Sequence, residues 1–113
     1  MIKVLIFEDV DRKVSGFQVS GHSGTAAHGK DIVCAGISSL AQTALLGIGE
    51  YLHREMDYSV ASGKLSMRLK SAPDDLTEAI LQTMLLGMSE IEKISPKAVH
   101  ISRRQGVKWN VEV

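Results

Sequence analysis

The chain has one cysteine, Cys34, and a histidine twelve positions before it, His22. Together these are the residue types that can break an acyl bond. A thiolate attacks a carbonyl carbon, and an imidazole can take the thiol's proton near neutral pH. Between them run Gly24, Thr25, Ala26, Ala27, His28 and Gly29, small or polar residues with no large apolar side chain. Such a stretch cannot build core, so residues 21–30 are expected to form a surface loop. The loop joins His22 to the helix bearing Cys34. An apolar substrate segment could close it and complete the site only when the correct peptide is present, so it is a candidate gate.

Asp31 stands where the N-cap of that helix is expected, which puts Cys34 at N3 in the first turn. There the helix dipole and unbonded N–H groups favour a thiolate and can serve as oxyanion donors. Cys34 lies roughly 70° off the centre of the helix's apolar stripe, on a flank shared with Ser38. Asp31 has a second conceivable task, orienting His22 as the third member of a triad does. Each residue also has an ordinary reading: Cys34 as a small buried hydrophobe, His22 as a turn residue, Asp31 as a cap alone. A zinc site of His22, His28, Asp31 and Cys34 matches no common ligand spacing, so no metal and no cofactor are expected. His53 reads as a dipole partner at a helix end and His100 as a strand-surface residue.

The elements that must hold these residues follow from periodicity. Residues 2–7 read as a strand buried on both faces, and 13–20 as its hairpin partner, with Val14, Gly16 and Gln18 opposed to Phe17 and Val19. Residues 32–52 form the clearest helix, its stripe running through Val33, Ile37, Leu40, Ala44, Ile48 and Tyr51. Gly36, Thr43 and Gly47 mark a flank on which a second helix can come close. Residues 58–70 suggest a hairpin turning at Ser62-Gly63. A second helix is expected over about 74–94, with Asp75 and Glu78 as a capping box and Leu76, Ile80, Met84, Gly87 and Ile91 buried. Ser95-Pro96 stops it. Residues 98–103 and 107–113 read as a last hairpin. The expected fold is a two-layer α+β domain spanning 1–113: a mostly antiparallel or mixed sheet with two helices packed on one face.

Composition narrows the function classes. Thirteen basic residues balance thirteen acidic ones, so no net field draws the chain to nucleic acid or an anionic membrane. Lys97, His100, Arg103, Arg104 and Lys108 gather near the C-terminus, where the ordinary reading is a solvated strand surface. One cysteine permits no intramolecular disulfide, which suits a reducing cytosol. The first residues do not read as a signal peptide, and no apolar run is expected to reach the ~20 residues of a membrane span.

The blocks Gly21-His22-Ser23-Gly24 and Gly29-Lys30-Asp31-Ile32-Val33-Cys34-Ala35-Gly36-Ile37-Ser38-Ser39-Leu40 resemble the ribosomal-processing cysteine protease family called Prp. Outside residues 21–45 the likeness is one of length and element order. The resemblance implies a cytoplasmic, homodimeric Cys–His endopeptidase of bacteria such as Firmicutes. Its substrate would be the precursor of large-subunit ribosomal protein twenty-seven, which loses a short N-terminal extension after an apolar and aromatic segment before ribosome assembly. It further implies Cys34 as nucleophile, His22 as base, and Asp31 and Ser38 in supporting roles. Ser23 and His28 depart from the family, which often has alanine and an aromatic residue there. The alternative is a non-catalytic dimeric module that holds a peptide or ribosomal protein, with Cys34 buried and inert. No direct nucleic-acid or membrane partner is expected.

Overall fold

Alternating apolar residues drive the first hairpin to lay one face on a core. The computed structural model describes residues 1–21 and 28–105, with residues 28–31 described by their backbone alone. Strands β1 (Ile2–Glu8) and β2 (Val14–Gly21) pair antiparallel. Helix α1 (His28–Leu46) follows and runs into a π turn, Gly47–Tyr51. Strands β3 (Met56–Ala61) and β4 (Lys64–Leu69) make the second hairpin, α2 (Asp75–Ile94) crosses back, and β5 (Val99–Arg104) lies parallel to β1. The mixed sheet has the order β3-β4-β2-β1-β5. With the two helices it gives the expected α+β fold.

Ile2, Val4 and Ile6 point from β1 into the core beside Phe17, Leu65 and Met67. Ile37, Ala41, Ala44 and Ile48 of the first helical segment and Leu81, Leu85 and Met88 of α2 close it from above. The close approach of the helices needs small residues. A Cβ on Gly36 would meet Ile91, one on Gly47 would meet Ile80, and one on Gly87 would meet Leu40, so the flank read from Gly36 and Gly47 does face α2.

Several sequence expectations change. β1 is buried on one face only: Lys3 is exposed and Leu5 and Phe7 are half-buried, because among the described residues both helices lie on the other face. Val14 shares the core with Phe17 instead of opposing it. A bulge inserts Ser15, so that Phe7 faces Gly16 while Glu8 faces Val14, and the parity flips. The freed Val14 N–H donates to Glu78 Oε1 at 2.8 Å. Glu78 therefore ties α2 to the hairpin, and the capping box is instead Asp74 with Thr77. The Asp74 carboxylate accepts from Thr77 N–H, which with the Arg54 guanidinium at 3.0 Å holds its pKa below the usual aspartate value.

The buried face of α2 is rotated by about one residue from the expected one: Thr77, Leu81, Met84, Leu85 and Met88 are buried and Leu76 is exposed. Tyr51 is 80% exposed, because the π turn has shifted the helical phase by that point. Against expectation, the 20-residue stretch Ile32–Tyr51 does reach the length and apolarity of a membrane span, with a mean hydropathy of 1.7 over an 18-residue window. Here that stretch supplies Ile37, Ala41, Ala44 and Ile48 to the core and packs against α2. The strand expected over 107–113 lies outside the described residues.

Candidate active site

The start of α1 corrects the most consequential expectation. The helix begins at His28, so Asp31 is inside it rather than at its N-cap, and His28 and Gly29 belong to helix rather than loop. A helical glycine costs only about 1 kcal/mol relative to alanine, and nothing else in His28-Gly29-Lys30 stops a helix from extending backward. Cys34 then lies in the second turn, about 9 Å along the axis from His28 at 1.5 Å per residue. Its N–H is committed to the helical ladder, and the dipole's effect is confined to the first turn. The expected dipole-activated thiolate and oxyanion donors at Cys34 do not apply to this geometry.

What positions Cys34 is the flank of α1. It is half-buried and packs against the edge of the core. It opens onto a cleft of about 220 Å³ between α1 and the sheet. Ser38 and Gln42, one and two turns further on, line the same cleft, and Gln42 Nε2 donates to Ser38 Oγ at 2.7 Å. Ile2, Val19 and Leu65 form the apolar floor, and the β3–β4 turn closes one end.

The rim opposite α1 is built around Gly21. Its φ of +89° suits glycine, and a Cβ there would run into the Met1 carbonyl. Its N–H donates to Gly63 O at 3.1 Å, and it pairs with Ile2. The chain is thus anchored at the residue immediately before His22. His22 itself and Gly24–Ala27 lie outside the described residues, as do the side chains of His28 and Asp31. Of the residues picked out from sequence, the structure brings Cys34 and Ser38 to one cleft and sets Gly21 on the same cleft. Gln42 was missed, although its i+8 spacing from Cys34 could have found it. Nothing in the sequence marked the Ser62-Gly63 turn as a cleft wall. Among the described residues, no three His, Cys, Asp or Glu come together as a metal site would require.

A thiol facing an apolar cleft, with polar side chains at helical spacing beside it, can receive an extended peptide and attack its carbonyl. Fold and site together define a cysteine protease of the mixed α+β kind. The chain belongs to the Prp family, described as Cysteine protease Prp, which matches residues 1–100. It is 31% identical over 96 residues to the ribosomal processing cysteine protease Prp of Staphylococcus aureus Mu50, covering 82% of this chain and 90% of that one. Among solved structures it superposes on the S. aureus Prp with a covalently linked product peptide at a TM-score of 0.84. The identity there is 27%, and the match covers 92% of this chain and all of the other. The SMU.848 protein of Streptococcus mutans shares the fold at a TM-score of 0.81 and 20% identity, covering 93% and 95% of the two chains.

Proposed function

We propose that this chain is a Cys–His endopeptidase that trims the N-terminal extension of large-subunit ribosomal protein twenty-seven before ribosome assembly. In this reading it acts in the cytoplasm as a homodimer. Cys34 is the nucleophile and His22 its base. The observation that carries the reading is the cleft that both Cys34 and Gly21, the residue before His22, line. The Prp of S. aureus has been captured both with a substrate peptide and with a covalently linked product peptide.

The corrected helix start gives His22 more to do. With Cys34 beyond reach of the helix terminus, proton removal falls to the histidine. Attack of the sulfur on the scissile carbonyl gives a thioester and releases the amine, which takes the proton held by His22. Water then cleaves the thioester, again with His22 as base. Asp31 and Ser38 support the site, Ser38 from one turn beyond Cys34 on the cleft wall. Gly24, Thr25, Ala26, Ala27, His28 and Gly29 gate access, the last two as the start of α1. Alkylation of the native protein with iodoacetamide tests the nucleophile. Modification of Cys34 before unfolding is expected, with a rate that falls when His22 is replaced by alanine. A thiol that reacts only in denaturant would overturn the reading.

A further inference from the structure

The strand register assembles a surface that the sequence scatters. Residues that alternate with the core positions point away from both helices. Aligned across the sheet, they form three rows. At one end Lys64, Ser20, Lys3 and His100 are neighbours on β4, β2, β1 and β5. At the other end Arg68, Gly16, Phe7 and Arg104 are neighbours on the same four strands. Between them lie Ser59, Ser66, Gln18, Leu5 and Ser102, a row of hydroxyls and an amide with one leucine. The two cationic rows are four residues apart, about 13 Å at strand rise.

Gly16 gives the second row its shape. Lacking a side chain, it lets Arg68 reach across β2 from β4 and lay its guanidinium over the Phe7 ring of β1, 4.7 Å from the centroid. Among the described residues, the one strand carboxylate on this face is Asp57, which pairs with Arg68 in the register and sits 3.7 Å from Lys70. The acids lie elsewhere: Asp75, Glu78, Glu90 and Glu92 are on α2. A chain with zero formal charge therefore has, among its described residues, a positive sheet face and an acidic α2, and the balanced total conceals the division.

We propose that the sheet face turned away from α1 and α2 is a binding surface for single-stranded RNA, separate from the Cys34 cleft. Four permanent cations at the ends of the face suit a phosphate backbone. The hydroxyl and amide row between them suits sugar and base edges, and the outer face of the Arg68 guanidinium is a plane on which a base can stack. An acidic peptide would use the charges but neither of the other two features. The face is separate from the cleft, so the proposed cleavage does not require the RNA contact, nor the RNA contact the thiol.

The test is fluorescence anisotropy with a labelled oligouridylate of about twelve nucleotides, within the span a small β-domain covers. With four phosphate contacts at about 0.7 each, log K is expected to fall with log salt at a slope near −2.8. The double variant Lys3→Gln/Arg104→Gln removes two contacts and should bring the slope to about −1.4, with an unchanged melting temperature. Cys34→Ala should bind as the wild type does. No saturable binding at low salt, or a slope untouched by the double variant, would overturn the proposal. Poly-glutamate binding as tightly as the oligouridylate would assign the face to acidic proteins instead. A change in sedimentation of the double variant with RNA binding intact would assign it to a contact between copies of this chain.

Discussion

Replacing Glu78 with alanine should destabilise the fold by removing one long-range hydrogen bond. The bulge at Ser15 leaves the N–H of fully buried Val14 without a ladder partner, and Glu78 Oε1 accepts it at 2.8 Å across 64 positions of sequence. Gln82 Nε2 donates to the other carboxylate oxygen at 2.9 Å and holds the side chain in place. A hydrogen bond to a charged acceptor contributes about 1.5–3 kcal/mol, and its loss strands a buried donor. For a chain of this size that corresponds to a fall in melting temperature of roughly 6–12 °C. Glu78→Gln keeps an acceptor oxygen and should lose less than half as much. Differential scanning calorimetry of the three proteins measures both shifts. Equal melting temperatures for Glu78→Ala and wild type would show that Val14 N–H finds water at no cost, and the bulge would then not depend on α2.

Three further outcomes follow from the same geometry. His22→Ala should lower peptide turnover at least ~10²-fold, the low end for a positioned acid–base group, as read by steady-state kinetics, with an unchanged melting temperature. Gly21→Ala forces a Cβ against the Met1 carbonyl at a φ of +89°; it should cost roughly 1–3 kcal/mol and reduce turnover by displacing the chain just before His22, whereas wild-type kinetics would refute the anchoring role. The Asp74 carboxyl, held low by Thr77 N–H and Arg54, contributes stability that is present above the ordinary aspartate pKa and lost as pH falls through its lowered value. Asp74→Asn should therefore flatten the acid limb of a stability-versus-pH curve, and an unaltered limb would count against the cap.

The described strands and the C-terminal stop of α2 were legible because each rests on local chemistry. Alternation marked Leu65, Met67 and Leu69, Ser62-Gly63 marked the hairpin turn, and Ser95-Pro96 ended a helix with an uninterrupted apolar pattern. What was not legible depended on partners distant in sequence. The bulge at Ser15 reverses the side chains that precede it, and only pairing with β1 reveals it. Glu78 looked like half of a capping box because its true partner, Val14, is 64 positions away. Asp31 looked like an N-cap because Asp before an apolar run is a sound local signal. Helix propensity for His28–Lys30 is too weak to show in sequence that α1 starts earlier. At the candidate site, helical spacing set Cys34 and Ser38 on one flank of α1, and that flank does line the cleft. The cleft they share needed the fold, because its floor comes from Ile2, Val19 and Leu65 on three different strands. The basic face was hidden for the same reason: Lys3, Lys64, Arg68 and Arg104 meet only through strand register.

The most direct measurement of the central claim is the intact mass of a ribosomal protein twenty-seven precursor after incubation with this protein. The wild type should convert it to a product shorter by its N-terminal extension, with a new N-terminus just after an apolar and aromatic segment. Cys34→Ala, which truncates only a half-buried side chain on the cleft wall, should stay folded and leave the precursor at full mass. A folded Cys34→Ala protein that still processes the precursor, or a wild-type protein that never does, would contradict the assignment of Cys34 as the nucleophile of a ribosomal-processing protease.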